Sequence, residues 1–367
     1  MAETLTDILI RHIRDNGPIS VSHFMGLALG HPQYGYYMNR DPFGRLGDFV
    51  TAPEISQLFG EMIGVWMADL WLRMGAPSPF LLVESGPGRG TLMADLLRAT
   101  RKVDGFHTAM QIHLIETSPS LRTLQAHALA GHAPYWHDSI DTLPDDAPIL
   151  FVANEFLDAL PIIQLMHGDK GWAERVIGLS DDGQLMFGLA PADPSLVAAI
   201  PDVLDPRDGN GIYEVSPARS GFTALLSERI ERQGGAALFI DYGHSHHGMG
   251  DTLQAMRGHK FVSVFDDVGT ADITSHVDFE AVAEAAIHHG ASVYGPVEQW
   301  QFLEDMGIRM RASHLINNAA DEKQADDVRA GLERLVSPDQ MGALFKVLAI
   351  GHDAGPTPSG FGEDITP

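Results

Sequence analysis

From residue 80 onward, short apolar runs alternate with segments of helical periodicity, and this alternation restricts the fold more than any other feature of the chain. FLLVE (80–84), MQIHLIE (110–116), PYWH (134–137), PILFVANE (148–155) and AALFIDYG (236–243) read as strands. GTLMADLLRATRKV (90–103) reads as a helix with Leu92, Leu96 and Leu97 inward. Strands and helices alternating in this way imply right-handed crossovers and a parallel sheet. A helix at about 279–289, a strand near ASVYGPV and a last strand LFKVLAIG (344–351) close that sheet.

Two stretches break the alternation. Residues 161–190 carry strand-like runs separated by Gly-Asp and Asp-Gly turns, which predicts an inserted β-hairpin or meander continuing to about residue 215. Residues 244–278 are polar and turn-rich. Ahead of the sheet, the chain reads as mainly helical, with helices over residues 3–15 and from about Ile55 to Arg73. Leu58, Met62, Trp66 and Leu70 form one stripe of the second. The segment 31–56 between them is rich in Gly, Pro and Tyr, and a loop this long predicts a functional role. The tail after Gly351 reads as frayed.

Composition narrows the function. The 367 residues include no cysteine, which removes disulfides, cysteine metal sites and thiol nucleophiles together. Asp plus Glu number 49 against 24 Lys plus Arg, a net charge of −25. Such a field repels a phosphate backbone, so no nucleic-acid partner is expected. It favours a cationic partner, although solubility alone accounts for it as well. No apolar run reaches the roughly 18 residues of a membrane span. Glu3, Asp7 and Asp15 near the start argue against a secretory or mitochondrial leader, which predicts a cytoplasmic protein.

The sharpest motif is LLVESGPGRGTL, which sets Gly86, Gly88 and Gly90 between a strand and a helix. The strand-to-helix turn of an open α/β sheet lies at the ligand crevice, where glycines let the backbone approach a ligand. A dinucleotide fingerprint needs a third glycine where this chain has Thr91, and no phosphate-cradling P-loop occurs. Glu84, ahead of the first glycine, suits an ammonium group. Glu116, ending the second strand, suits two ribose hydroxyls, and Asp138 after the third strand suits an adenine amino group. Three acids and three glycines so placed fit S-adenosylmethionine. After the fourth strand, ANEFLDALP places Asn154, Glu155 and Asp158 over the expected methyl group. A carboxylate pair is what a permanently protonated, planar guanidinium needs, so Glu155 and Asp158 would orient an arginine and take its proton. Helix capping is an equal reading for Asp158. His276 is an outside candidate for proton handling, and His244, His246 and His247 read as a solvated loop, with no metal site expected.

The blocks GDFVTAPEISQLFGEMIG (47–64), VESGPGRGTL, ANEFLDALP, IDYGH and DITSHVDF together resemble the MidA-like class I methyltransferases. The resemblance spans about residues 5–350. It implies an α/β fold with a seven-stranded, mostly parallel Rossmann-like sheet. Residues 1–75 would form a helical region over the cofactor cleft. Residues 76–351 would form the methyltransferase domain, with insertions at about 161–215 and 244–278, and 352–367 a flexible tail. It implies cofactor contacts from Glu84, Gly86, Gly88, Gly90 and Glu116, and suggests that Thr51, Pro53 and Glu54 fold over cofactor or substrate. Mitochondrial members form symmetric dimethylarginine on a respiratory complex I subunit, so the expected partner is a protein substrate with a target arginine. The oligomeric state stays open, a homodimer among the choices. Two rival readings remain: a cofactor-binding assembly chaperone without catalysis, and a nicotinamide-dependent oxidoreductase, against which the missing third glycine counts.

Overall fold

Local chemistry sets the first helix, Leu5–Asn16. The Thr4 side chain accepts from the Asp7 N–H, and Asp7 reaches back to the Thr4 N–H in a reciprocal cap. The early acid that argues against a leader thus has a structural use. A two-residue strand, β1 (Ile19–Ser20), leads into a helix, Val21–Gly30, capped by Ser20. The computed structural model describes residues 3–39 and 51–362. Residues 40–50 of the loop expected at 31–56, including residues 47–50 of the first resemblance block, lie outside the described residues.

The helix Gln57–Arg73 is buried well beyond its predicted stripe, with Phe59, Ile63, Met67 and Trp71 also enclosed. Gly60 makes this possible. A Cβ there would sit 2.6 Å from that of Asp95, so the helix Thr91–Thr100 packs directly onto it.

The strands β2 (Phe80–Ser85), β3 (Met110–Ile115), β4 (Tyr135–His137) and β5 (Ile149–Asn154) follow the predicted runs closely. The 161–215 insertion folds as β6 (Ile163–Gly168), β7 (Gly171–Leu179), β8 (Leu185–Pro191) and β9 (Ile212–Val215). Together with β1 these make a five-stranded antiparallel sheet. The long strand β10 (Gly235–His244) returns to the centre. Then come β11 (Gln254–Arg257), β12 (Lys260–Val262), β13 (Asp272–Thr274), β14 (Val277–Asp278), β15 (Ser292–Glu298) and β16 (Phe345–Gly351).

The central sheet runs β15-β16-β10-β5-β2-β3-β4, with β14 beside the end of β10. From β4 to β10 all neighbours are parallel, and β16 is antiparallel to both of its neighbours. This is the seven-stranded, largely parallel methyltransferase arrangement. β2 and β5 are buried at every position because helices cover both faces. Successive residues divide between two cores. Leu82, Val152 and Leu238 join the side of helix Gln57–Arg73, and Leu81, Phe151 and Phe239 join the other. A third core unites the N-terminal helices with the inserted sheets through Leu9, Phe24, Ile177 and Ile273.

Two features depart from the sequence reading. Helices at Pro217–Gln233 and between Gln299 and Val336 had no predicted counterpart. The expected loose tail is fastened between residues 357 and 361. Trp66 donates to the Ser359 carbonyl at 3.0 Å, and Phe361 packs on Phe302.

Candidate active site

Parallel pairing brings the C-terminal ends of β2, β3 and β5 together, and the chemistry-bearing residues lie at or just past those ends. Two cavities adjoin there. The larger, about 360 Å³, is lined by Glu116, Asp138 and Glu155 among apolar groups such as Ile115, Ile140 and Phe156. The smaller, about 40 Å³, is lined by Thr51, Pro53, Glu54, Glu84, Asn154 and Glu155. Gly86, Gly88 and Glu155 border both.

The glycine turn adopts left-handed backbone at Gly86 (φ 64°), Gly88 (φ 53°) and Gly90 (φ 83°). At Gly86 a side chain would also be crowded, since a Cβ would lie 3.1 Å from the Phe156 ring. Glu84, the fifth residue of β2, is 3% exposed, and its Oε2 has no partner among the described residues. Burial pushes its carboxyl up to about 8, only partly opposed by the Met93 N–H. Asn154 Oδ1 is also buried and unpartnered among the described residues. Glu116 is better held: Oε1 accepts from the Ser118 N–H at 2.8 Å and Oε2 from Gln125 Nε2 at 3.1 Å. Asp138 is exposed and pairs with Arg122 at 2.6 Å. Glu54 accepts from the Thr91 hydroxyl, and so ties the Thr51–Glu54 segment to the helix after the glycine turn.

Glu155 has φ 48°, a left-handed conformation that costs a non-glycine residue on the order of 1–3 kcal/mol. Its Oε1 accepts from the Ala52 N–H at 3.0 Å and from Asn154 Nδ2 at 3.1 Å. Burial pushes its carboxyl up to about 7, and the nearby Asp158 adds to the shift.

Asp158 and His276 line neither cavity. Asp158 is buried behind Glu155. Burial raises it and Asp241 above the usual carboxylate range, while the Arg219 guanidinium opposes this. The His276 carbonyl accepts from Arg219, its N–H donates to Thr252 Oγ1, and its ring meets Tyr242 edge-on. Burial, reinforced by His244, shifts the imidazole below its ordinary value. The polar loop holding His247 is not simply solvated, because His247 Nδ1 lies 2.9 Å from Asp278 Oδ2 with little exposure.

Sequence reasoning passed over Arg219 and Asp241 as site-builders. Arg219 donates to the carbonyls of Leu157, Asp158, Ser275 and His276 and so joins the ANEFLD turn to the DITSH segment. Asp241 lay within a quoted block, IDYGH, but nothing in its local sequence signals a main-chain partner.

S-adenosyl-L-methionine fits these residues. The orphaned Glu84 Oε2 and Asn154 Oδ1 have the chemistry to accept from an ammonium group. The two bonds to Glu116 leave lone pairs for ribose hydroxyls, and the apolar wall of the larger cavity suits a purine.

Residues 62–297 match the family described as S-adenosyl-L-methionine-dependent methyltransferases. The Drosophila melanogaster mitochondrial protein named protein arginine methyltransferase NDUFAF7 homolog is 38% identical, over 92% of this chain and 82% of its own. The human mitochondrial protein arginine methyltransferase NDUFAF7 is 34% identical, over 95% of this chain and 84% of its own. A Burkholderia thailandensis protein crystallised with S-adenosyl-homocysteine superposes with a TM-score of 0.85 at 29% identity, over 98% of this chain and 94% of that one. The relatives' names overturn the cytoplasmic expectation, since they are mitochondrial proteins. The acid used against a leader, Asp7, caps a helix, so its charge carries no address. Among the described residues no helix is long and apolar enough to cross a membrane. The sheet order, the cleft chemistry and these matches agree: the chain belongs to the S-adenosyl-L-methionine-dependent methyltransferase family.

Proposed function

We propose that the protein is a protein-arginine N-methyltransferase that forms symmetric dimethylarginine on a respiratory complex I subunit during assembly. The single observation behind the arginine reading is Glu155, a half-buried carboxylate bordering both cavities where they adjoin, its carboxyl pushed up to about 7. The relatives' names support the same reaction. The complex I target and the symmetry rest on the family resemblance alone.

In this reading Glu84, Asn154 and Glu116 would hold the cofactor, which would supply a sulfonium methyl group to a guanidinium nitrogen, the S–CH3 bond breaking to leave the neutral thioether S-adenosylhomocysteine as the nitrogen loses one proton. Glu155 binds the guanidinium through a charge-assisted contact and holds the departing proton, for which its ionisation near neutrality is suited. Ala52 and Asn154 fix Oε1, which fixes the rotation of the carboxylate. Phe156, Leu160 and Phe222 exclude water from the larger cavity. Asp158 assists from behind by raising Glu155. His276 remains as a proton-handling group only at a distance from the cavities.

The test supplies isotopically labelled S-adenosylmethionine to the purified protein and a lysate of cells lacking it. Mass spectrometry should find label on arginine of a complex I subunit. Glu155→Gln should bind the cofactor within about threefold of wild type and lose about 100-fold in transfer. Label on another residue type, or wild-type transfer by the variant, overturns the role of Glu155. Cofactor binding with no label on any protein favours a non-catalytic chaperone.

A further inference from the structure

The left-handed backbone at Glu155 needs an agent that enforces it. The register of the sheet supplies one. Ile240 on β10 pairs with Asn154 on β5, so Asp241 comes to lie beside Glu155 at the strand ends. There a single oxygen, Asp241 Oδ2, accepts from three successive main-chain N–H groups, those of Phe156 (3.2 Å), Leu157 (2.9 Å) and Asp158 (3.1 Å). Its other oxygen accepts from the Tyr242 N–H at 3.0 Å. From the opposite side, Arg219 takes the carbonyls of Leu157 and Asp158. Donors and acceptors of the same short turn are therefore held by two buried side chains from different elements. Asp241 is 1% exposed and lines neither cavity, so it meets no ligand there.

We infer that Asp241 is a positioning residue for methyl transfer: by gathering the three N–H groups after Glu155, it fixes the turn that presents the Glu155 carboxylate to both cavities. The inference rests on the role proposed for Glu155. It gives Asp241 an effect on transfer that passes through Glu155 and leaves the cofactor contacts of Glu84 and Glu116 in place. Asp241→Asn removes one acceptor and sets an amide donor against N–H groups, so it loosens the turn while nearly preserving volume.

The experiment is a double-mutant cycle. Wild type, Asp241→Asn, Glu155→Gln and the double variant are assayed for initial label transfer from S-adenosylmethionine to the lysate of cells lacking the protein. Cofactor affinity is measured by calorimetry, and amide exchange is followed across residues 152–162. Asp241→Asn should slow transfer about 10- to 100-fold, as a misplaced reacting group does, with cofactor affinity within about threefold. Exchange should rise at residues 156–158 and stay unchanged in helix Gln57–Arg73. In the Glu155→Gln background the same substitution should change transfer by less than about twofold. Losses that multiply, with Glu155→Gln itself impaired, overturn the inference and leave the role of Glu155 standing. Wild-type transfer by Glu155→Gln overturns both. Should Asp241→Asn fail to fold, Asp241→Glu keeps the carboxyl group, displaces it by one methylene and carries the same cycle.

Discussion

Glu84, near the end of β2, and Glu116, just past the adjacent parallel strand β3, are only two register steps apart, yet the protein holds them differently. Both oxygens of Glu116 already accept hydrogen bonds from Ser118 and Gln125. Glu84 is buried with one oxygen unpartnered among the described residues, and its carboxyl is pushed up to about 8. Asn154 and Glu155 belong with Glu84, with an orphaned acceptor and a raised carboxyl of their own. At one end of the cleft the protein's own donors orient the carboxylate, and the other end carries buried acceptors suited to a donor or cation from outside. A preformed end recognises by shape and fixed hydrogen bonds. An end with frustrated acidity draws its binding energy from relieving that frustration.

The comparison breaks most readily at Glu84. Glu84→Gln should lower affinity for S-adenosylmethionine about 100-fold while leaving the melting temperature equal to or above that of wild type, because a buried acid is replaced by a neutral isostere. Calorimetry and thermal scans measure the pair, and wild-type affinity would remove Glu84 from the site.

The next effect is on pH dependence. Glu84 and Glu155 have folded-state values of about 8 and about 7, above the usual 4.5, so between 4.5 and 8 these two groups bind more protons in the folded protein than in the unfolded chain. Stability should therefore be greatest near the low end of that window and fall as pH rises through it. Melting temperatures of the free protein should drop by a few degrees from about pH 5 to 8, and Glu84→Gln should flatten the drop. A rise across that range would count against the assignment.

Glu116→Gln sharpens the comparison from the preformed end. It sets one amide donor against another at Gln125, so affinity should fall about tenfold and the melting temperature by about 2–4 °C together. A loss of affinity with no loss of stability would make Glu116 resemble Glu84. The smallest effect is expected at Asp138, whose bond to Arg122 is solvent-exposed. Asp138→Ala should change affinity by less than about threefold and the melting temperature by less than about 1 °C.

How much of this was legible depends on the range of the interaction. The runs FLLVE and PILFVANE announce strands because helices on both faces demand apolar residues at every position. The helix Pro217–Gln233 escaped because its core-facing side includes Thr223, Ser227 and Arg219, which blur the apolar period. Arg219 reads locally as a surface residue, and only the fold surrounds it with carbonyls. Asp158 and His276 line neither cavity, and the sequence could not show this, because spacing along the chain cannot say which way a turn faces a side chain.

The sequence by itself determined the α/β layering, the glycine turn after β2 and the presence of carboxylates at the ends of successive strands, since periodicity and turn chemistry are local properties. Only the tertiary structure decided which carboxylates share a cavity, which are left without partners and why Glu155 takes a left-handed backbone. Those outcomes depend on burial, which the distant helices and the inserted lobe impose, and on pairing between strands far apart in the chain. A residue's neighbours in sequence carry no record of either.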